Sequence, residues 1–166
     1  MKYVAIILFL TLGISISAQP LQHAAGIRGG VSSGLTYQYF YNPMEDVKLL
    51  LSFRDSGMQL SALMEHYESV MINYHDQFFM YYGAGLHLGY TRSYSTRYSL
   101  ISSRPFETYP ITRPVLGADA IVGLEYRVGV IPIAFGIDYK PFFEFFGNRF
   151  FKISVWDIAF SVKYQF

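Results

Sequence analysis

The last eleven residues, Trp156 to Phe166, constrain this chain more than any other stretch. Every even position is large and apolar: Trp156, Ile158, Phe160, Val162, Tyr164 and Phe166. Every odd one is small, polar or charged: Asp157, Ala159, Ser161, Lys163 and Gln165. A period of two over that length is a β-strand with one apolar and one polar face. Its length is also that of a tilted strand crossing a bilayer, about 9–11 residues.

The opposite end carries a second address. Met1-Lys2 is a short positive start, Tyr3 to Ile14 is apolar, and Ser15-Ile16-Ser17-Ala18 has the small residues of a cleavage region. Residues 1–18 therefore read as a secretory signal peptide, and 19–166 as one domain by length. A retained membrane anchor is the alternative, but the apolar run is short for a span of about 20 residues. The chain has no cysteine, which excludes a lipid-modified cysteine, disulfides, thiolate metal sites and a cysteine nucleophile. The formal charge of +1 falls to zero without Lys2 and argues against nucleic acid as a partner.

Aromatics make up 19% of the chain and charges only 15%, against an average charged fraction of about 25%. After residue 18 no apolar run approaches helix-spanning length. An exported, greasy chain without a membrane helix suits a transmembrane β-barrel, whose lipid-facing residues alternate with inward polar ones.

Eight strands are expected. They are Ala24–Ser32, Leu35–Tyr41, Val47–Arg54, Met58–Tyr67, Gln77–Thr91, Val115–Arg127, Ile131–Lys140 and Trp156–Phe166. Met58–Tyr67 is the least regular, because Leu63 falls on the polar parity. Asn42-Pro43-Met44-Glu45-Asp46 and Asp55-Ser56-Gly57 are turns by their chemistry, and 68–76 is a connection. Arg92 to Pro114 reads as the one long loop, and Pro141 to Ile153 as a second, aromatic one. The expected fold is all-β: an eight-stranded antiparallel up-and-down transmembrane β-barrel. An even count puts both termini on the periplasmic side and both long loops, 92–114 and 141–153, outside.

Under that parity the outward aromatics sort by height. Tyr39, Tyr41, Tyr126, Tyr164 and Phe166 fall at periplasmic strand ends; Phe53, Tyr90, Tyr139 and Trp156 fall at external ends. Two aromatic girdles around an aliphatic band are what lipid interfaces select. Inward, Arg28, Lys48, Arg54, Arg127, Lys140 and Lys163 oppose Glu65, Asp119, Glu125, Asp138 and Asp157. An eight-stranded barrel is only wide enough for side chains to fill it, so these charges are expected to pair across a plugged, water-trapping lumen. Inward glycines, among them Gly26, Gly83, Gly117, Gly123 and Gly136, make room for them.

Catalytic and cofactor motifs are weak. Gly30-Val31-Ser32-Ser33-Gly34 matches a nucleophile elbow, but a strand-like stretch follows where that motif needs a helix. Gly83-Ala84-Gly85-Leu86-His87-Leu88-Gly89 has its glycines at strand period, with no helix after it. His23, His66, His75 and His87 lack metal-binding spacing. No catalytic residue, cofactor or metal is expected. The stretch 92–114 holds Arg92, Arg97, Arg104 and Arg113 among Tyr94, Tyr98, Phe106 and Tyr109, a composition suited to anionic lipopolysaccharide or a surface partner. The run Phe142 to Phe151 caps the barrel mouth, lies in the outer interface, or meets a partner.

Gly34-Leu35-Thr36-Tyr37-Gln38-Tyr39-Phe40, Leu50-Leu51-Ser52-Phe53-Arg54, Tyr81-Tyr82-Gly83-Ala84-Gly85, Gly123-Leu124-Glu125-Tyr126 and Lys163-Tyr164-Gln165-Phe166 together resemble small outer-membrane β-barrels of the OmpX/Ail-like and OmpA-barrel type. The resemblance spans nearly all of residues 19–166, by pattern. It implies the outer membrane of a Gram-negative bacterium, a monomer surrounded by lipid and lipopolysaccharide, and a terminal Phe166 read by the outer-membrane assembly machinery. It also implies a role in adhesion, envelope integrity or surface defence. The protruding external sheets of that family look absent or short here. The expected function is a non-enzymatic barrel, structural or surface-interacting. The alternatives are a lipid-A-modifying enzyme, a small channel of low conductance, or a soluble calyx with its apolar face inward.

Overall fold

In a computed structural model, the described residues are 22–54, 56–70, 77–96, 108–146 and 151–166. The expected signal peptide lies outside them. The elements are β1 His23–Gly30, β2 Ser33–Asn42, β3 Glu45–Arg54, β4 Gly57–Ser69, β5 Phe78–Thr96, β6 Thr108–Arg127, β7 Ile133–Tyr139, β8 Phe142–Phe145, β9 Phe151–Ser154 and β10 Ile158–Gln165. Every pairing is antiparallel. Neighbours in sequence pair from β1 to β7, β7 pairs with β10, and β10 returns to β1. The ring is closed at the seam Ala24↔Gln165 to Gly30↔Ala159, so the sheet has no edge within it.

The ten elements are eight barrel strands, two of them interrupted. β7 meets β6 at Val122↔Tyr139 and β8 meets it at Asp119↔Phe142, in one unbroken register. Pro141 sits between. Ala120 N–H donates to the Pro141 carbonyl at 2.9 Å, and the reciprocal bond is missing because proline has no N–H. Across from it, β9 and β10 are joined by a bulge. Lys140 N–H donates to Asp157 O at 2.8 Å and Phe142 pairs with Ser154, so Val155 and Trp156 together oppose the single residue Pro141. Both face outward, and the outward parity switches from odd on β9 to even on β10. A bulge does this to a strand.

The expected aromatic loop 141–153 is thus a correction. It continues strands seven and eight as the hairpin β8–β9, with Phe142 buried over the barrel mouth and Phe143 exposed on the outer wall. The expected loop 92–114 is corrected too. β5 and β6 stay paired from Tyr90↔Pro114 to Thr96↔Thr108, so this hairpin protrudes where no protruding sheet was expected. Arg97, Tyr98, Arg104 and Phe106 lie outside the described residues. β4 likewise runs two residues past Tyr67.

The interior is mixed. Leu63, which broke the apolar parity, points inward and packs with Ala24, Phe40, Tyr67, Tyr81 and Ile121. Around this small apolar cluster most buried side chains are polar or charged, with Leu50, Val115 and Phe142 buried among them. No helix among the described residues is long and apolar enough to cross a membrane.

Candidate functional site: a charge-filled lumen inside an apolar wall

The structure turns all eleven expected lumen charges inward. Arg28, Lys48, Glu65, Asp119, Glu125, Asp138, Lys140, Asp157 and Lys163 are buried; Arg54 and Arg127, near opposite ends, are partly exposed. Each holds an opposite charge, as burial of an ion requires.

One network fills the half of the lumen away from the termini. Arg28 Nη2 lies 2.5 Å from Asp138 Oδ1 and its Nη1 3.4 Å from Asp157 Oδ1. Asp157 also accepts from Ser32 Oγ at 2.6 Å and Ser32 N–H at 3.2 Å, and stands 3.6 Å from Lys140. Lys140 Nζ is 2.9 Å from Asp119, whose other oxygen meets His87 Nδ1 at 2.9 Å. Beyond His87, Glu144 accepts from Gln59 at 2.8 Å and pairs with Arg54, whose guanidinium lies over the Phe142 ring at 4.0 Å.

A second network fills the half near the termini. Lys48 Nζ meets Glu65 at 2.6 Å. Glu125 takes both Lys163 at 2.6 Å and Arg127 Nε at 2.8 Å. The Gln38 amide donates to Glu65 at 3.1 Å, to Tyr67 Oη at 2.9 Å, and to Asp46. Tyr81 stands where the halves meet. Its ring centroid lies 4.7 Å from Lys48 Nζ and 5.2 Å from Lys163 Nζ, and its hydroxyl donates to Asp138 at 3.4 Å.

Sequence reading missed Asp46 and Glu144. Both are buried lumen acids that had been assigned to a turn and to the aromatic loop. The signal was present: Asp46 shares parity with Lys48, and Glu144 shares parity with Asp138 and Lys140.

The outer wall has the opposite character. Ile158, Phe160, Val162 and Tyr164 are exposed while Ala159, Ser161 and Lys163 between them are buried. The residues expected in girdles, Tyr39, Tyr41, Phe53, Tyr90, Tyr126, Tyr139, Trp156, Tyr164 and Phe166, all lie on this wall, with Trp156 at 74% exposure. At the termini end, His23 touches Tyr39 and Phe166 at ring separations of 5.2 and 5.7 Å and accepts or donates a bond with Tyr37 Oη at 2.9 Å. At the β2–β3 turn, the Asn42 amide donates to Glu45 at 2.9 Å, which holds the Glu45 carboxyl below the ordinary glutamate range.

Chemically, the described residues of this lumen offer paired charges. His87 has an acidic partner on Nδ1, but no hydroxyl within hydrogen-bonding distance of Nε2. No group of three potential metal ligands occurs among the described residues.

No family model matches the sequence, and no curated protein does. Among solved structures, the chain is similar to the N-terminal β-barrel domain of Pseudomonas aeruginosa OprF. Identity is 16%, over 87% of this chain and 95% of that one, with a TM-score of 0.47.

Proposed function

We propose that this chain is a non-enzymatic, monomeric integral outer-membrane β-barrel of a Gram-negative bacterium. It is structural or surface-interacting, with the termini end periplasmic and the hairpins β5–β6 and β8–β9 external. The observation that carries this reading is the inverted polarity of the barrel, with ion pairs inside and a largely apolar wall outside. Water would not tolerate such a wall on a monomer, whose contiguous apolar patches rarely exceed a few hundred Å²; lipid hydrocarbon selects it. The same polarity argues against the soluble calyx, which needs its apolar face inward.

The lumen supports a role without transport. Charged side chains from facing strands meet across it, and Tyr81 fills its middle. The partners proposed are outer-membrane lipid and lipopolysaccharide on the wall and external hairpins, and the outer-membrane assembly machinery at Phe166. Nucleic acid and a cofactor have no place in this reading.

The test combines membrane fractionation, gel mobility of heated and unheated protein, and planar-bilayer recording. The barrel is expected in the outer-membrane fraction, with heat-modifiable mobility and no resolvable single-channel steps. Recovery in the soluble fraction would overturn the location, and stable ohmic steps would overturn the plugged lumen.

A further inference from the structure

A groove of about 660 Å³ lies on the outer wall beside the β8–β9 hairpin. Ala84, Ala118 and Ala120 form its floor, and Phe143, Phe151 and Ile153 stand along one side. The register explains the floor. Ala84 pairs with Ala120, and Ala118 lies between Leu86 and Phe143 on the flanking strands. Three adjacent outward positions therefore stop at a Cβ, while Leu86, Leu116 and Phe143 around them extend outward and are exposed. Ring contacts to Phe145 at 5.6 Å and Phe151 at 6.5 Å brace the Phe143 side. Asp119 also borders the groove, but its carboxylate is turned inward to Lys140 and His87.

Depth decides what can reach the floor. On β5, Ala84 is six residues from Phe78 and six from Tyr90, the outward aromatics toward the two ends of the barrel wall. Six residues of a tilted strand rise about 15 Å, half of a hydrocarbon core of about 30 Å. The floor thus lies at mid-membrane, and the Phe143–Phe151 side extends from it toward the external end. A lipid headgroup does not descend that far, whereas the end of an acyl chain from the outer leaflet does. The convex wall of a second barrel would span the recess and leave it unfilled.

We propose that this groove is a binding site for one acyl chain of an outer-leaflet lipid, held between the alanine floor and the aromatic side. The inference rests on the membrane reading above and names one fixed lipid position on the wall. Within hydrocarbon the gain comes from packing and not from the hydrophobic effect. A chain in the recess touches protein beneath and beside it, and a chain on the convex wall touches it on one side only. The volume of about 660 Å³ falls within the range of small-molecule sites, about 300–1,000 Å³.

The test is photolabelling of the full-length barrel in phospholipid vesicles. The probe is a trace of phosphatidylcholine carrying a diazirine near the end of one saturated acyl chain, and labelled residues are located by mass spectrometry. Ala84, Ala118, Ala120 and Phe143 are expected to take at least about threefold more label than outward residues elsewhere, such as Ile27, Leu49 and Val162. Ala118→Leu with Ala120→Leu fills the recess and should bring the label at Phe143 and Phe151 down to the wall average. Ala118→Leu alone covers the case in which the double variant does not fold. Ala62→Leu, at an outward alanine outside the groove, should leave the pattern unchanged. Even labelling around the wall, or undiminished label at Phe143 in the filled barrels, would overturn the groove and leave the membrane reading standing. Crosslinked pairs of barrels with these residues unlabelled would assign the groove to a second copy and overturn the proposal. No label on any outward residue would overturn the membrane reading itself.

Discussion

Tyr81 occupies the space above the Gly123 backbone: a Cβ built on Gly123 would fall 2.5 Å from Tyr81 Cζ and 2.6 Å from its hydroxyl. The ring where the lumen's halves meet therefore depends on an absent side chain one strand away. Gly123→Ala should destabilise the barrel by about 1–3 kcal/mol through overpacking, read as a lower urea midpoint for the refolded protein. Adding Tyr81→Leu should recover part of the loss. Recovery stays incomplete, because the Ile137 carbonyl also stands 2.7 Å from that Cβ. Full stability of Gly123→Ala alone would show that Tyr81 has room to move.

Glu125 joins Lys163 and Arg127 in one buried cluster. Glu125→Gln keeps the shape and removes the charge, leaving Lys163, itself almost fully buried, without its carboxylate. The expected loss is about 3–5 kcal/mol, that of a broken buried pair. Glu125→Gln with Lys163→Met removes both charges and should lie closer to the parent. Equal losses in the single and double variants would mean that the cluster acts through packing and not through charge.

Much of this was legible in the sequence for a physical reason. A strand exposed to apolar surroundings on one side and to a polar lumen on the other writes its two environments on alternate residues. The burial of Asp157 and Lys163 and the exposure of Ile158, Phe160, Val162 and Tyr164 follow from parity alone. Parity failed where the backbone itself changes step. The bulge at Val155 and Trp156 switches the outward set, and the run Phe142 to Phe151 is aromatic on both parities, so β8 and β9 read as a loop. Glu144 went unseen with them. Nor does parity say which charges meet. Arg28 and Asp138 are 110 residues apart, and their contact depends on how the closed barrel staggers its strands.

Glu45 gives a local acid-sensitive contact at the β2–β3 turn, at the very end of its strand. The Asn42 amide donates to its carboxylate, so its carboxyl titrates below the ordinary value of 4.5. A depressed carboxyl contributes stability above its unfolded-state value, and this is lost as pH falls through the folded-state value. The Glu45 side-chain carbon resonance should therefore titrate below pH 4.5, and Asn42→Ala should move the midpoint up. An unchanged midpoint would show that the turn hydrogen bond is not formed in solution.

At Phe166 a structural role and the proposed assembly role can be separated. Its backbone closes the seam: His23 N–H donates to Phe166 O at 2.9 Å and Phe166 N–H to His23 O at 2.8 Å. Its ring lies on the outer wall, 5.7 Å from His23 and 6.1 Å from Tyr164. Phe166→Ala keeps the seam and removes an exposed ring, so the unfolding free energy of the refolded barrel in urea should change by no more than about 1 kcal/mol. Deleting Phe166 also removes both seam bonds and should cost more. If the terminal aromatic is what the assembly machinery reads, the two variants should show similarly reduced amounts of folded barrel in the outer membrane, although their stabilities differ. Quantifying heat-modifiable protein in membrane fractions beside urea unfolding decides this. Normal insertion of Phe166→Ala would remove the assembly role and leave Phe166 as the last rung of the seam.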